Sequence, residues 1–272
     1  MNFLKIVNSN KVNSSFTLGL NKFSDLTQEE FAAKYTGLNT MAAKTRARVY
    51  KDLPATNDDQ VNWVTKGAVT AVKDQQQCGS CWAFSATGAL EGSYFLKNNN
   101  LESFSEQQLV DCSTAWGNQG CNGGLMDQAF EYVEANGITN EKTYPYYARD
   151  AACVYKPSMS ITKISSYVDV VEDESNLKTA VTQQPVSIAI YALTIMSYTG
   201  GIYNDYTSCP AGLLDHGVLA VGYGTDNGQD YWLVKNSWGT SWGISGYIKF
   251  ARKASGPGIC GLATLASYSV IQ

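Results

Sequence analysis

Cys81 lies in the run Gln75-Gln76-Gln77-Cys78-Gly79-Ser80-Cys81-Trp82-Ala83-Phe84-Ser85, at the head of a stretch that is apolar on nearly every side through Lys97. A helix beginning at Cys81 would point unpaired N–H groups and the positive end of its dipole at the thiol, favouring the thiolate and lowering its pKa. A thiolate nucleophile also needs a base, a group that orients the base, and donors for a developing oxyanion. The Cys81 N–H and the carboxamide of Gln75, six residues earlier, can supply two donors. His216 is the chain's one histidine and so the one imidazole available as base. A lone histidine is more often structural than catalytic, but this one opens a strand pattern in Leu214-Asp215-His216-Gly217-Val218. Asn236, in Trp232-Leu233-Val234-Lys235-Asn236-Ser237-Trp238-Gly239, can accept from the imidazole N–H and fix its tautomer, with Trp238 shielding that bond from water. Cys78 and Cys81 also form a CxxC pair, which by itself fits a redox dithiol or half a zinc site. A second CxxC, further histidines and a βαβ context are all missing, so neither metal nor cofactor is expected.

The chain has 272 residues, 44% hydrophobic and 16% charged, enough for one large core or two smaller ones meeting at a cleft. Its seven cysteines are odd in number: three pairs leave one thiol over, unless all are reduced and buried as in a cytosolic protein. Net charge is -4, divided into +4 for residues 1–54 and -8 for residues 55–272. That acidic body with scattered basic residues excludes a nucleic-acid surface, and makes the basic N-terminal segment its natural partner, held near neutral pH and loosened by acid. No run of about 18 apolar residues is present, which excludes a membrane-spanning helix. Met1 to Asn10 lacks the apolar core of a signal peptide, so a soluble chain is expected, with any targeting segment already removed.

Positioning these groups falls to a helical half followed by a β-rich half. Phe3, Ile6 and Val7 suit a helix over Met1 to Val12, and Phe16, Leu18 and Leu20 alternate as in a strand. Thr27 and Glu30 form a capping box for a second helix through Phe31 and Tyr35, with Gly37 as its C-terminal cap. Asn39 to Asp59 reads as a linker. Further helices are expected over Cys81 to Lys97, after a Ser105/Gln108 capping box, and through Leu125, Ala129 and Val133 to Gly137. Beyond residue 160 strands are expected at Val186–Ile190, Gly217–Gly222, Tyr231–Val234 and Tyr247–Phe250, with Asn227-Gly228 as a hairpin turn. No internal repeat is present. The fold class is therefore α+β, with lobes over about 55–160 and 161–272 and a cleft between them.

At Cys81, His216 and Asn236, the latter two 135 and 155 residues beyond the cysteine, the sequence resembles the papain-like cysteine peptidases, and closely their cathepsin L-like branch. The likeness extends through Ser105-Glu106-Gln107-Gln108-Leu109-Val110-Asp111-Cys112, Cys121-Asn122-Gly123-Gly124-Leu125-Met126-Asp127 and Asn236-Ser237-Trp238-Gly239-Thr240-Ser241-Trp242-Gly243. It implies disulfides Cys78–Cys121, Cys112–Cys153 and Cys209–Cys260, leaving Cys81 free. Gly19-x-Asn21-x-Phe23-x-Asp25, with Asn2, Ile6 and Asn10, resembles the family's inhibitory propeptide, whose earlier helical motif is missing, so weakened inhibition is expected. The resemblance implies that residues 1–54 form a partial propeptide threading the cleft backwards and that residues 55–272 form the mature peptidase. Val61-Asn62-Trp63 and Ile244 depart from the family's usual Val-Asp-Trp and Glu.

By the same resemblance the nucleophile is Cys81, the base His216, the orienting residue Asn236 and the oxyanion donor Gln75. The substrate-binding set is Gly123, Gly124, Leu125, Met126, Ala189, Leu214, Asp215, Trp238 and Leu265. Leu265 closes an apolar P2 pocket, which implies aliphatic P2 residues. The implied partners are protein and peptide substrates, the chain's own propeptide and inhibitors of the cystatin type, for a monomer that is lysosomal, vacuolar or secreted. Asn13-Ser14-Ser15 is the one glycosylation sequon, within the propeptide. A catalytically silent papain-fold storage or binding protein would lack one of the four catalytic residues, and a transglutaminase-type transferase would lack the propeptide and the disulfide framework.

Overall fold

The computed structural model describes residues 15–41, 56 and 58–272. The expected helix over Met1 to Val12, the asparagines Asn2, Asn10 and Asn13, and most of the linker lie outside the described residues. Helix α1 (Gln28–Tyr35) follows strand β1 (Phe16–Leu18), and Thr27 and Glu30 close the expected reciprocal capping box. Its C-terminal end departs from expectation. The helix stops at an extended Thr36, so Gly37 is not a left-handed cap. Gly37 serves close approach instead: a methyl group there would overlap the Gly79 carbonyl.

Three helices follow: α2 (Cys81–Asn98), α3 (Glu106–Cys112) and α4 (Met126–Asn136). The first thirteen residues of α2, Cys81 to Ser93, are all buried, as its apolar sequence predicts. Gly88 and Gly92 let Leu219 and Pro185 pack against its backbone. The Ser105/Gln108 box is only half formed. Ser105 Oγ accepts from Gln108 N, but the Gln108 carboxamide turns away to Tyr132 Oη, the Gly137 carbonyl and Thr139 N, because the Ser105 N–H is already bonded to Thr139 O. Gly137, at φ +84°, ends α4 as expected.

The β-rich half contains β3 (Ile164–Val170), β4 (Val186–Ile190), β5 (Tyr198–Tyr203), β6 (His216–Asp226), β7 (Gln229–Lys235), β8 (Tyr247–Ala251) and β9 (Ala266–Ile271). The sheet order is β1-β5-β8-β7-β6-β4-β9-β3, with β2 (Val61–Asn62) pairing β6. Among the described strands only β5 and β8 run parallel to each other. Asn227 and Gly228 make the β6–β7 turn with φ of 51° and 79°, the left-handed pair that a two-residue hairpin requires. One helix of this half escapes the sequence reading. Helix α5 (Glu174–Gln183), capped by Asp173, buries Leu177, Ala180 and Val181, a short helical stripe set between two strands rich in valine and isoleucine.

Two apolar cores result. Trp82, Ala86, Leu90, Leu109, Phe130 and Val133 centre the helical one, while Val186, Ile188, Trp232, Val234, Ile248 and Phe250 centre that of the sheet. Sequence neighbours are shared between them: Val61, Trp63 and Ala68 pack into the sheet core, and Trp63 Nε1 donates to Val181 O. The N-terminal segment joins the same body through β1, which adds to the edge strand β5, and through Phe23 and Phe31. Disulfides link Cys78–Cys121, Cys112–Cys153 and Cys209–Cys260, the pairing the resemblance implies, and Cys81 is the free thiol. Among the described residues no helix is long and apolar enough to cross a membrane.

Candidate active site

The N-terminus of α2 meets the start of β6 where the two cores touch. Cys81 is the first residue of α2 and His216 the first of β6, and both are fully buried. Burial pushes the Cys81 thiol up to about 12, outweighing the backbone N–H groups of Gly217 and Trp82 that favour the anion. The expected lowering is thus reversed in this covered state, because the thiol has lost solvent that a helix N-terminus does not replace.

His216 Nε2 lies 2.8 Å from Asn236 Oδ1, which also accepts from Ser237 N at 2.8 Å. An amide oxygen cannot donate, so Nε2 carries the proton and Nδ1 is left as the acceptor. Nδ1 has no hydrogen-bond partner although it is buried. Trp238 stacks on the imidazole with centroids 4.6 Å apart and planes 29° from parallel. Burial lowers His216 to about 4, and its bond to Asn236 opposes the shift.

Gln75 is clamped from several directions. Its N–H donates to Ser237 O at 2.8 Å, its Oε1 accepts from Ser237 Oγ at 2.7 Å, and its carbonyl accepts from Tyr146 Oη at 2.8 Å. With Oε1 fixed, Nε2 must face the cleft. There one N–H reaches Cys78 O at 2.9 Å and the other makes a long 3.4 Å approach to Tyr35 O.

The N-terminal segment runs directly over these groups. Tyr35 O also accepts from Trp238 Nε1 at 3.2 Å. Gly37 N and Leu38 N both donate to Asp215 O at 3.0 Å, Gly124 N donates to Gly37 O at 2.9 Å, and Asn39 N donates to Gly124 O at 2.8 Å. Leu38 and Gly124 thereby pair in parallel, with both walls of the cleft bridged by backbone. Gly79 and Gly123 admit this approach: a Cβ on Gly79 would lie 2.8 Å from Thr36 O, and one on Gly123 2.9 Å from Gly37 O.

Leu38 and Leu214, both half-buried, pack against the helical core cluster to which Leu125, Met126, Ala189 and Leu265 belong. Asp215 is pushed up to about 7 by burial, against an N–H bond from Ala192 at 2.8 Å. Upstream, Phe23 and Phe31 meet the Trp238 ring edge-on at 5.5 and 5.0 Å, and Trp242 lies 4.9 Å beyond it. The sequence reading missed Tyr35, Leu38, Ser237 and Tyr146. Tyr35 is noticed only as a helix residue, Leu38 falls between Gly37 and the linker and is not singled out, and Ser237 and Tyr146 act through bonds that no spacing foretells. Among the described residues no group of His, Cys, Asp and Glu is placed to hold a metal ion.

Residues 57–270 match the model of papain family cysteine proteases, and residues 1–31 that of the cathepsin propeptide inhibitor domain I29. The chain belongs to the papain family of cysteine proteases. Digestive cysteine proteinase 2 of Homarus americanus is 48% identical, over 94% of this chain and 80% of its own length. Procathepsin L of Mus musculus is 47% identical, over 94% and 78%. Two digestive procathepsins from Tenebrio molitor larval midgut superpose with TM-scores of 0.88 and 0.90, at 42% and 40% identity, covering 98% of this chain and 88% and 89% of theirs. The papain-family chain is thus a cathepsin L-like cysteine endopeptidase of two-lobed α+β fold, in zymogen form, with its own propeptide in the cleft.

Proposed function

We propose that Cys81 is the nucleophile, His216 the base, Asn236 its orienting residue and Gln75, with the Cys81 N–H, the oxyanion donor. The observation that carries this reading is the unpartnered Nδ1 of His216, an acceptor fixed by Asn236 in the residue next to Gly217, whose backbone N–H reaches the chain's one free thiol. Removal of the propeptide readmits water, and the thiol proton passes to Nδ1. The thiolate attacks the scissile carbonyl carbon, whose π electrons move to oxygen between Gln75 Nε2 and the Cys81 N–H. Collapse breaks the C–N bond, and the imidazolium at Nδ1 protonates the departing amine. Water, losing a proton to Nδ1, then attacks the thioester and releases the acid and the thiol. Incubation of the processed enzyme with a vinyl-sulfone peptide, followed by peptide mapping, tests the assignment: label on Cys81 is expected, and label on any other residue removes it.

For substrate selection, Gly124 offers backbone to an extended peptide, as it does to Gly37 and Asn39 on either side of Leu38, Gly123 leaves room for that peptide, and Asp215 and Trp238 border the reacting bond. Leu125, Met126, Ala189, Leu214 and Leu265 form an apolar P2 pocket that favours aliphatic side chains. The support is Leu38, an aliphatic residue of the propeptide packed against the core cluster to which the buried members of that pocket belong. The division near residue 160, a mature enzyme starting at about residue 55, and a monomer open to cystatin-type inhibitors belong to the same reading. Three disulfides favour an oxidising or proteolytic compartment, lysosomal, vacuolar or secreted.

A further inference from the structure

The two proposed oxyanion donors come from separate pieces of chain, the turn at Gln75 and the first residue of α2. Their spacing must hold to a fraction of an ångström for both to meet one oxygen. Tyr146, half-buried in the irregular stretch after α4, touches both pieces. Its hydroxyl lies 2.8 Å from the Gln75 carbonyl and 2.6 Å from Ser80 Oγ, the residue just before Cys81. A carbonyl only accepts, so the phenol proton goes to Gln75 and the Ser80 proton to the phenol oxygen.

Ser80 occupies the N-cap of α2 yet makes no capping bond with its side chain. A serine at this position ordinarily accepts from the helix's own N–H groups. Here its hydroxyl makes its short bond to Tyr146, with only a long 3.4 Å approach to Cys78 O besides. The Tyr146 ring also stands edge-on to Phe84, in the first turn of α2, with centroids 4.9 Å apart and planes at 82°. One side chain is therefore fastened to the Gln75 turn by its hydroxyl and to the start of α2 by both hydroxyl and ring. Ser237, the other side-chain clamp on Gln75, comes from the opposite wall of the site.

We propose that Tyr146 is a positioning residue that sets the distance between the Gln75 carboxamide and the Cys81 N–H, and so the geometry of the oxyanion hole. The proposal rests on the reading of Gln75 and Cys81 given above. Burial holds the phenol well above its ordinary range, so the donor stays protonated throughout the enzyme's working pH.

The test uses Tyr146→Phe and Ser80→Ala, each expressed as the full chain and then processed to remove the propeptide. A peptide aldehyde reads the oxyanion hole, because its adduct places a tetrahedral oxygen there; iodoacetamide reads the thiol alone, since it alkylates sulfur without carbonyl addition. For Tyr146→Phe the aldehyde dissociation constant should rise on the order of tenfold and kcat fall on the same order, with KM and the alkylation rate within about twofold of wild type. Ser80→Ala should move the same readouts in the same direction by a smaller factor, which keeps the test decisive if the first variant does not fold. Unchanged aldehyde affinity in either folded variant, or aldehyde affinity and alkylation falling together, overturns the proposal. Alkylation of the wild type at a residue other than Cys81 would instead defeat the underlying catalytic reading.

Discussion

With Cys81 at about 12 and His216 at about 4, both groups are neutral in the covered state at pH 7. Iodoacetamide should therefore modify the intact chain slowly, with a rate that climbs through the alkaline range, whereas the processed enzyme should react quickly from mildly acid pH upward. Equal rates in the two forms at pH 7 would show that the propeptide does not set the state of the thiol. Gln75 has one N–H bonded to Cys78 and one aimed at the cleft, so Gln75→Ala removes a donor without emptying the site. Its kcat/KM should drop by about 2.7 to 4 kcal/mol of transition-state stabilisation, measured on the processed enzyme. Leu265 is buried against the cluster that receives Leu38. Leu265→Ala should therefore shift preference from Leu toward Phe at P2 by about 1 to 3 kcal/mol in relative kcat/KM, the scale on which apolar pockets discriminate.

Among the elements, the propeptide is held by α1 and by the extended stretch that follows it, and the two can be separated experimentally. Phe31 is fully buried between Phe23, Tyr35 and Trp238. Phe31→Ala should cost about 3 to 5 kcal/mol of packing and release much of the inhibition. Lys22, by contrast, pairs with Asp74 at 2.7 Å with about a third of each side chain exposed. Lys22→Ala should weaken inhibition by no more than about 1 kcal/mol. The propeptide's inhibition constant, measured as residual activity of the uncleaved chain, compares the two. A larger effect at Lys22 than at Phe31 would reverse the ranking. The described part of the propeptide carries Lys22 and Lys34 against Asp25, Glu29 and Glu30, so the charge asymmetry of residues 1–54 resides in the lysines and arginines outside it. Docking of the described part therefore rests on aromatic packing, β1–β5 pairing and backbone hydrogen bonds rather than on net charge.

Across the whole molecule, a buried ionic cluster ties the two halves together beneath the site. Lys73 Nζ meets Glu106 at 2.7 Å and Glu91 at 3.1 Å, and Lys235 Nζ donates to Thr70, which in turn bonds Glu91. Lys73 lies two residues before Gln75, and Lys235 immediately before Asn236. Burial lowers Lys235 to about 8, and the nearby carboxylates Glu91, Glu106 and Glu141 only partly offset it against Lys73. An amine whose folded pKa lies below its unfolded value of about 10.4 costs stability at neutral pH and recovers it between about 8 and 10.4, because the unfolded chain binds the extra proton in that window. Denaturation of wild type and Lys235→Met at pH 7 and 9.5 should show the wild type gaining on the variant as pH rises. A constant difference would mean that Lys235 does not titrate with folding.

The residue types and spacing of Gln75, Cys81, His216 and Asn236, the capped helix α1 and the Asn227-Gly228 hairpin were legible in the sequence because each is a local pattern or a motif whose chemistry demands those side chains. Helix α5 was not, since its short stripe competes with flanking strand residues. Nor was the fate of Gly37 and Gln108, whose local signals for caps were overridden by partners far away in the chain, Gly79 and Tyr132, nor the bond that joins Ser80 to Tyr146. The thiol's raised pKa likewise depends on what lies over Cys81. Desolvation, close backbone approach and a hydrogen bond shared between distant segments are properties of packed space, and only the tertiary structure decides them.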